Sequence, residues 1–284
     1  MSLAQPKHAD IEVPGALSRD IAFDDRDFQK IRALIYKRAG IVIAEHKRDM
    51  VYGRVARRIR ELHLTSFSAY LQRLDQDVAS LEWEVFTNSL TTNLTSFFRE
   101  AHHFPLLAEH VAARRGPVRV WSAAASTGQE PYSIAMLLIE ELGDMADVRV
   151  VATDVDTRAL EIARSGIYPL KQIEAIDETR RKHFFKRGNG RNNGYARMDS
   201  KIATRVEFSK LNLVEDTWPL TGLFDAIFCR NVMIYFDADT QRRVLSHMAR
   251  YLKPDGLLFA GHSENFTYVS DRFKLRGHTV YTLA

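Results

Sequence analysis

The spacing of apolar residues divides the chain near residue 91. Upstream, they recur at helical intervals only. In DDRDFQKIRALIYKRAG, Phe28, Ile31, Leu34 and Ile35 fall on one face and Gly40 supplies the stop. In EHKRDMVYGRVARRIREL, Val51, Val55, Ile59 and Leu62 form a stripe, and two more amphipathic stretches cover 66–74 and 79–90. A four-helix domain is predicted over 21–90. Residues 102–115 are a further predicted helix. From Val118 the pattern changes to short apolar runs alternating with helical stretches. Strands are predicted near 118–123, 148–153, 205–211, 224–229 and 256–261, and helices near 131–142, 156–164 and 238–252. Such alternation implies a parallel sheet, and FKLRGHTVYTLA reads as a terminal hairpin turning at Gly277.

The predicted class is therefore α/β: a doubly wound sheet over 101–284 with a terminal antiparallel hairpin, behind an all-helical N-terminal domain. One segment breaks the alternation. Residues 167–204 hold a basic helix (DETRRKHFFKR), a Gly/Asn cluster (GNGRNNG) and the strand-like pieces YARM and KIAT. They are read as an inserted small β-subdomain, helix plus hairpin, with open sheet edges. Residues 1–20, with Pro6, Pro14 and Gly15, are expected to be disordered. Residues 91–100, TTNLTSFFRE, form a linker dense in polar side chains with two adjacent aromatics.

Composition narrows the class without choosing a function. Hydrophobic residues are 45% and charged residues 27%, an ordinary globular balance, and no apolar run is long enough to cross a bilayer. The first residues lack the apolar core of a signal peptide, and a single cysteine, Cys229, leaves no internal disulfide framework. Both point to a reducing cytoplasm, with Cys229 a packed thiol in strand FDAIFCR. The ten histidines show no metal-ligand spacing, so no metal is expected. A net charge of +4 favours an acidic partner of some kind.

The chemistry concentrates in VRVWSAAASTGQEPY, residues 118–132. It reads as strand, small-residue turn and helix start, with Pro131 in the first helical turn. The second strand, VRVVATD, ends in Asp154, where an acid is placed to bind ribose hydroxyls. The turn has one glycine, Gly128, instead of G-x-G-x-x-G, which argues against a bound diphosphate. A nucleoside without phosphates fits better, pointing to S-adenosylmethionine.

Together, TTNLTSFFRE, RVWSAAASTGQEPYSIAM, ATDVDTRALEIARSGIYPL, FDAIFCRNVMIYFD and LKPDGLLFAGHSENF resemble the CheR family of chemoreceptor glutamate O-methyltransferases. They span most of 91–266, and AGIVIAEHKRDMVYGRVARRIREL resembles that family's receptor-facing helix. The resemblance implies S-adenosylmethionine as methyl donor, giving S-adenosylhomocysteine, and glutamates of a receptor's cytoplasmic helical bundle as acceptors. It implies cofactor-site positions at Asn93, Thr95, Arg99, Glu130, Asp154, Asn212, Leu213, Arg230 and Asn231. Arg99 and Tyr235 match positions near the transferred methyl. In some members the inserted hairpin captures a peptide at the receptor's C-terminus.

Transfer to an ionised carboxylate needs no general base, so Arg99 is assigned to positioning the acceptor. Its alternative is an ion pair with Glu100 or Glu130. Tyr235 either orients the acceptor oxygen or faces the sulfonium with its ring. Asn231 is expected to bond the methionine amino group. Glu130 either does likewise, binds ribose, or is a first-turn acid. Asn212-Leu213 either closes the adenine side, with the amide on the base edge and Leu213 packed on its face, or is an ordinary strand-end turn. Lys47, Arg48, Arg54, Arg57 and Arg58 are expected to form a receptor-docking face, with Arg54, Arg57 and Arg58 projecting from one side of a helix.

Two rivals are weighed. A nucleic-acid methyltransferase of the adenine-N6 kind shows an Asp/Asn-Pro-Pro-aromatic motif, whereas Asn231-Val232-Met233-Ile234-Tyr235 has no proline; neither a nucleic-acid partner nor membrane insertion is expected. A non-catalytic scaffold that binds S-adenosylmethionine would tolerate loss of Arg99 or Tyr235, yet both are present.

Overall fold

The computed structural model describes residues 20–77 and 79–284. Helices α1 (Asp25–Ala39), α2 (Arg48–Glu61), α3 (Phe67–Gln76) and α4 (Glu82–Leu90) form the first unit. Asp24 caps α1 by accepting from the Asp27 N–H, and Gly40 ends it in the left-handed conformation. The stripes meet as predicted: Phe28, Ile31 and Ile35 bury against Val51, Val55, Ile59 and Phe86 in a core of their own. The expected disorder falls on residues 1–19, which lie outside the described residues. Asp20 is anchored, because its carboxylate accepts from Arg60 at 2.6 and 2.9 Å and from the Tyr52 hydroxyl at 3.0 Å.

Helix α5 (His103–Ala112) then leads into β1 (Val118–Ser122), α6 (Gln129–Leu142), β2 (Val148–Asp154) and α7 (Thr157–Ser165). The insertion follows as β3 (Ile167–Pro169), α8 (Leu170–Ile173), α9 (Glu178–Phe184), β4 (Phe185–Arg187), β5 (Tyr195–Met198) and α10 (Ser200–Ala203). The chain returns through β6 (Val206–Lys210), β7 (Phe224–Cys229), α11 (Ala238–Met248), β8 (Leu252–Ala260), β9 (Phe273–Gly277) and β10 (Val280–Leu283). The main sheet runs β6-β2-β1-β7-β8-β10-β9; the first five strands are parallel and β10 is antiparallel to both neighbours. Strand order reverses between β1 and β7, so ligand contacts belong at the carboxyl ends of those strands. Alternation sends Val118 and Val120 into one core and Trp121 into the other, one on each face of the sheet.

Three local expectations are corrected. The insertion is a three-stranded antiparallel sheet, β3-β5-β4, not a hairpin. Residues 201–203 of KIAT are helical, part of α10 with Thr204 as its C-cap, because Asp199 caps it by accepting from the Lys201 N–H and Ile202 is buried. The terminal turn is made by His278 and Thr279, both at positive φ, with Gly277 closing β9. The His278 carbonyl and the Thr279 hydroxyl both lie 3.0 Å from His103 Nε2, which holds this unusual turn in place.

Candidate functional site

The cleft opens at the carboxyl ends of β1, β2 and β7 and encloses ≈ 940 Å³ including its mouth. All ten predicted residues line it: Asn93, Thr95, Arg99, Glu130 and Asp154 from the first half, and Asn212, Leu213, Arg230, Asn231 and Tyr235 from the second. The helical domain contributes Ala39, Ile41 and Leu90, which the sequence reading missed.

Asp154 ends β2. Its carboxylate accepts from the backbone N–H of Ser126 at 2.7 Å and of Asp156 at 2.8 Å. Burial outweighs these bonds and pushes its pKa up to about 6. The turn after β1 offers no anion nest. Its Ala125, Ser126 and Gly128 N–H groups are engaged by Thr153 O, the Asp154 carboxylate and Ala125 O. Gly128, at φ 97°, is required for packing: a Cβ would sit 2.8 Å from the Ala163 Cβ and the Tyr168 hydroxyl. An acid at a strand end, the apolar Leu213 and Val155, and a charged far end suit S-adenosylmethionine better than a dinucleotide.

At that charged end Arg230, 5% exposed, donates from Nε to Glu130 at 2.7 Å and from Nη1 to the Arg99 carbonyl at 2.8 Å. Glu130 also accepts from the Ser122 hydroxyl at 2.7 Å. Arg230 Nη1 lies 3.1 Å from His103 Nδ1, so that ring nitrogen is the acceptor and Nε2 carries the proton. Burial, reinforced by the Arg230 charge, holds His103 down at about 4. Glu100 accepts from His262 at 3.0 Å and Asn231 Nδ2 at 3.1 Å. Burial works against its charge, but these bonds and nearby Arg230 prevail and hold its pKa at about 2.

Arg99 sits between two residues at positive φ, Phe98 and Glu100. Its Nη1 donates to the Leu94 carbonyl at 2.9 Å, and among the described residues it forms no ion pair with Glu100 or Glu130. Phe97 packs edge-on against Tyr168 and Phe185 of the small sheet, and Arg180 of α9 stacks over Phe98 at 4.4 Å. The linker is therefore clamped from that side. From the other it is held by Asp156, which accepts from the Thr91 hydroxyl at 2.6 Å and Asn93 Nδ2 at 2.7 Å while capping α7. Asp156, Glu100 and His103 were not predicted.

Tyr235 lies on the turn after β7, and its carbonyl accepts from the Val42 N–H at 2.8 Å, a backbone bond from the helical domain. Gly40 permits the approach: a Cβ there would meet Val214 Cγ1 at 2.5 Å. Asn212 lines the cleft and also joins the two domains: its Nδ2 donates to the Arg38 carbonyl at 2.8 Å and its Oδ1 accepts from the Val214 N–H at 3.4 Å. Cys229 is fully buried, and burial pushes its thiol well up, as a packed thiol requires.

The expected cationic face is also corrected. Arg54 donates to the carbonyls of Ser89 (3.4 Å) and Thr91 (2.6 Å), and Arg58 makes a two-point pair with Glu82 at 2.7 and 2.9 Å. Arg48 pairs with Asp25 and stacks on Phe23. Lys47 and Arg57 are exposed, and among the described residues Arg57 pairs with Glu61, four residues along. Three arginines one turn apart thus share a helix side but not a destination.

Family comparison covers both halves of the chain. Residues 26–91 match the CheR methyltransferase all-alpha domain, and residues 93–282 match the CheR methyltransferase SAM binding domain. The chain is 54% identical over 269 residues to the chemotaxis protein methyltransferase of Escherichia coli, covering 94% of each. It is 54% identical over 270 residues to that of Salmonella typhimurium, covering 94% of this chain and 93% of the other. Against chemotaxis protein methyltransferase 2 of Pseudomonas aeruginosa it is 49% identical over 271 residues, covering 94% and 96%.

Proposed function

This chain belongs to the CheR methyltransferase family, and on that premise we propose that it esterifies glutamate side chains of chemoreceptors in the cytoplasm, as an adaptation enzyme of chemotaxis. The observation that carries the reading is the meeting of Arg99 and Tyr235 at one cleft with the ribose-type acid Asp154. S-adenosylmethionine, when bound, supplies an electrophilic methyl on a sulfonium. Asp154 accepts the ribose hydroxyls, Leu213 packs on the base, and the buried Glu130–Arg230 pair, with Asn231 beside it, faces the amino-acid end.

The acceptor glutamate, with a pKa of about 4.3, is already ionised at neutral pH, so no residue has to remove a proton. What remains is alignment and exclusion of water. Arg99, steadied through Nη1 by Leu94 O, presents its other N–H groups to the carboxylate. Tyr235 aligns the reacting oxygen from the opposite loop. Ala39, Ile41 and Leu90 of the helical domain wall off the cleft.

Lys47, at the N-cap of α2, and Arg57 are the exposed members of the expected set, through which this helix meets an acidic receptor helix. The free edges of β3 and β4 suit addition of a receptor's C-terminal peptide as a further strand. The test is incubation with tritiated S-adenosylmethionine and either receptor cytoplasmic fragments or nucleic acid. Base-labile label on the receptor, released as methanol, is expected; label on nucleic acid, or label on protein that survives base, sinks the proposal. Arg99→Lys is expected to restore little of the turnover lost in Arg99→Ala, since an ammonium lacks the planar fork.

A further inference from the structure

Glu264 stands in the loop after β8, 33 residues after Asn231, and is 5% exposed. Its Oε2 accepts from the N–H of Asn231 at 2.9 Å and of Gly261 at 2.5 Å. Its Oε1 accepts from Val232 at 3.0 Å and Met233 at 2.8 Å. A carboxylate offers about four lone-pair sites, and here backbone donors fill them all. Three of the four donors are consecutive residues that lead into the 3-10 turn Met233–Tyr235. Asn231 is at φ 58°, a conformation that a non-glycine residue holds only when its surroundings impose it. Gly261 completes the fit: a Cβ there would lie 2.4 Å from Asn231 Nδ2, 2.8 Å from Glu264 Oε2 and 2.9 Å from Asn231 N.

We infer that Glu264 is a positioning residue for methyl transfer, acting through the backbone of 231–233 to set where the Tyr235 side chain stands. Glu264 does not itself line the cleft; it reaches it through the backbone of the lining residues Asn231 and Val232. The carboxylate works because it is an acceptor on both oxygens. An amide of the same shape turns one oxygen into an N–H donor facing two N–H groups, and the turn must rotate to relieve them. The inference rests on the role given to Tyr235 above.

The test compares full-length Glu264→Gln, Tyr235→Phe and the double variant, with receptor cytoplasmic fragment as substrate and calorimetric binding of S-adenosylhomocysteine. Glu264→Gln is expected to lower kcat by about 100-fold, the cost of a small misplacement of a reacting group, with little change in receptor KM and a smaller loss of cofactor affinity through Asn231 of the same turn. The double variant is expected to be no slower than the slower single variant, because both changes remove one alignment. Wild-type kcat in Glu264→Gln, losses that multiply in the double variant, or cofactor affinity falling as far as kcat would each overturn the inference. Should Glu264→Gln not fold, Gly261→Ala displaces the same turn without removing charge; the same kcat loss is expected, and a wild-type kcat overturns it. Full activity in Tyr235→Phe refutes the role of Tyr235 and the inference with it, whereas a slow Tyr235→Phe beside a full-rate Glu264→Gln refutes the inference alone.

Discussion

The cleft and helix α2 both carry clusters of charged residues, and they behave in opposite ways. In the cleft, residues as far apart in sequence as Asn93 and Tyr235 converge on one space. On α2, residues one turn apart disperse: Arg54 to the linker backbone, Arg58 to Glu82, and Arg57 to solvent. Strand ends are fixed by sheet topology, so a residue placed there is committed to the site. Spacing on a helix fixes only where the Cα atoms lie, and a long guanidinium goes wherever a buried acceptor waits.

That contrast can be broken most directly at Arg58. Arg58→Ala leaves Glu82, 6% exposed, with the Tyr70 hydroxyl as its remaining partner. Stability is expected to fall by about 3 kcal/mol, the lower part of the range for stripping a buried ion pair, with cofactor affinity unchanged. Urea unfolding and calorimetry check both halves; unchanged stability would restore Arg58 to the docking face.

Asp154 should show the reverse. Asp154→Ala is expected to weaken S-adenosylhomocysteine binding by about 1.5–3 kcal/mol, the value of hydrogen bonds to a charged group. Its raised pKa sharpens the contrast. The folded carboxyl titrates near 6, above an unfolded value of about 3.9, so the native state holds the extra proton between these limits. Without cofactor, stability is therefore expected to decline as pH rises through that window. Cofactor binding needs the ionised form, so affinity should drop up to about tenfold per pH unit below 6, with proton release on binding. Affinity independent of pH between 5 and 7 would remove Asp154 from the ribose.

The smallest expected effect is at Arg57. Arg57→Glu should change stability by less than about 0.5 kcal/mol, as for other exposed pairs. It should slow receptor methylation at low salt, and the difference should shrink as the screening length approaches about 8 Å. Equal rates at low salt would place the receptor elsewhere.

The strands and long helices were legible because apolar periodicity is a local property, repeated over enough residues to be unambiguous. KIAT was misread because four residues carry too little pattern to outweigh one capping aspartate. Asp154 was legible from its place at a strand end. Glu264, Asp156 and Glu100 were not, although each lies inside or beside a recognised stretch. Their work is to accept hydrogen bonds from segments distant in the chain, and no local pattern records that. Asn212 lies between: its position at the cleft was legible, whereas its bond to Arg38 of the other domain was not.

The small sheet has two faces with different freedoms. Its inward residues Tyr168, Phe185, Ala196 and Met198 belong to the same core as Phe97, two residues before Arg99. Its outward residues Ile167, Tyr195 and Arg197 are exposed. The outer face can therefore vary in sequence while the inner face stays locked to the cleft. A chimera that borrows the sheet must carry the seat of Phe97 with it, or lose the alignment of the neighbouring arginine along with the graft.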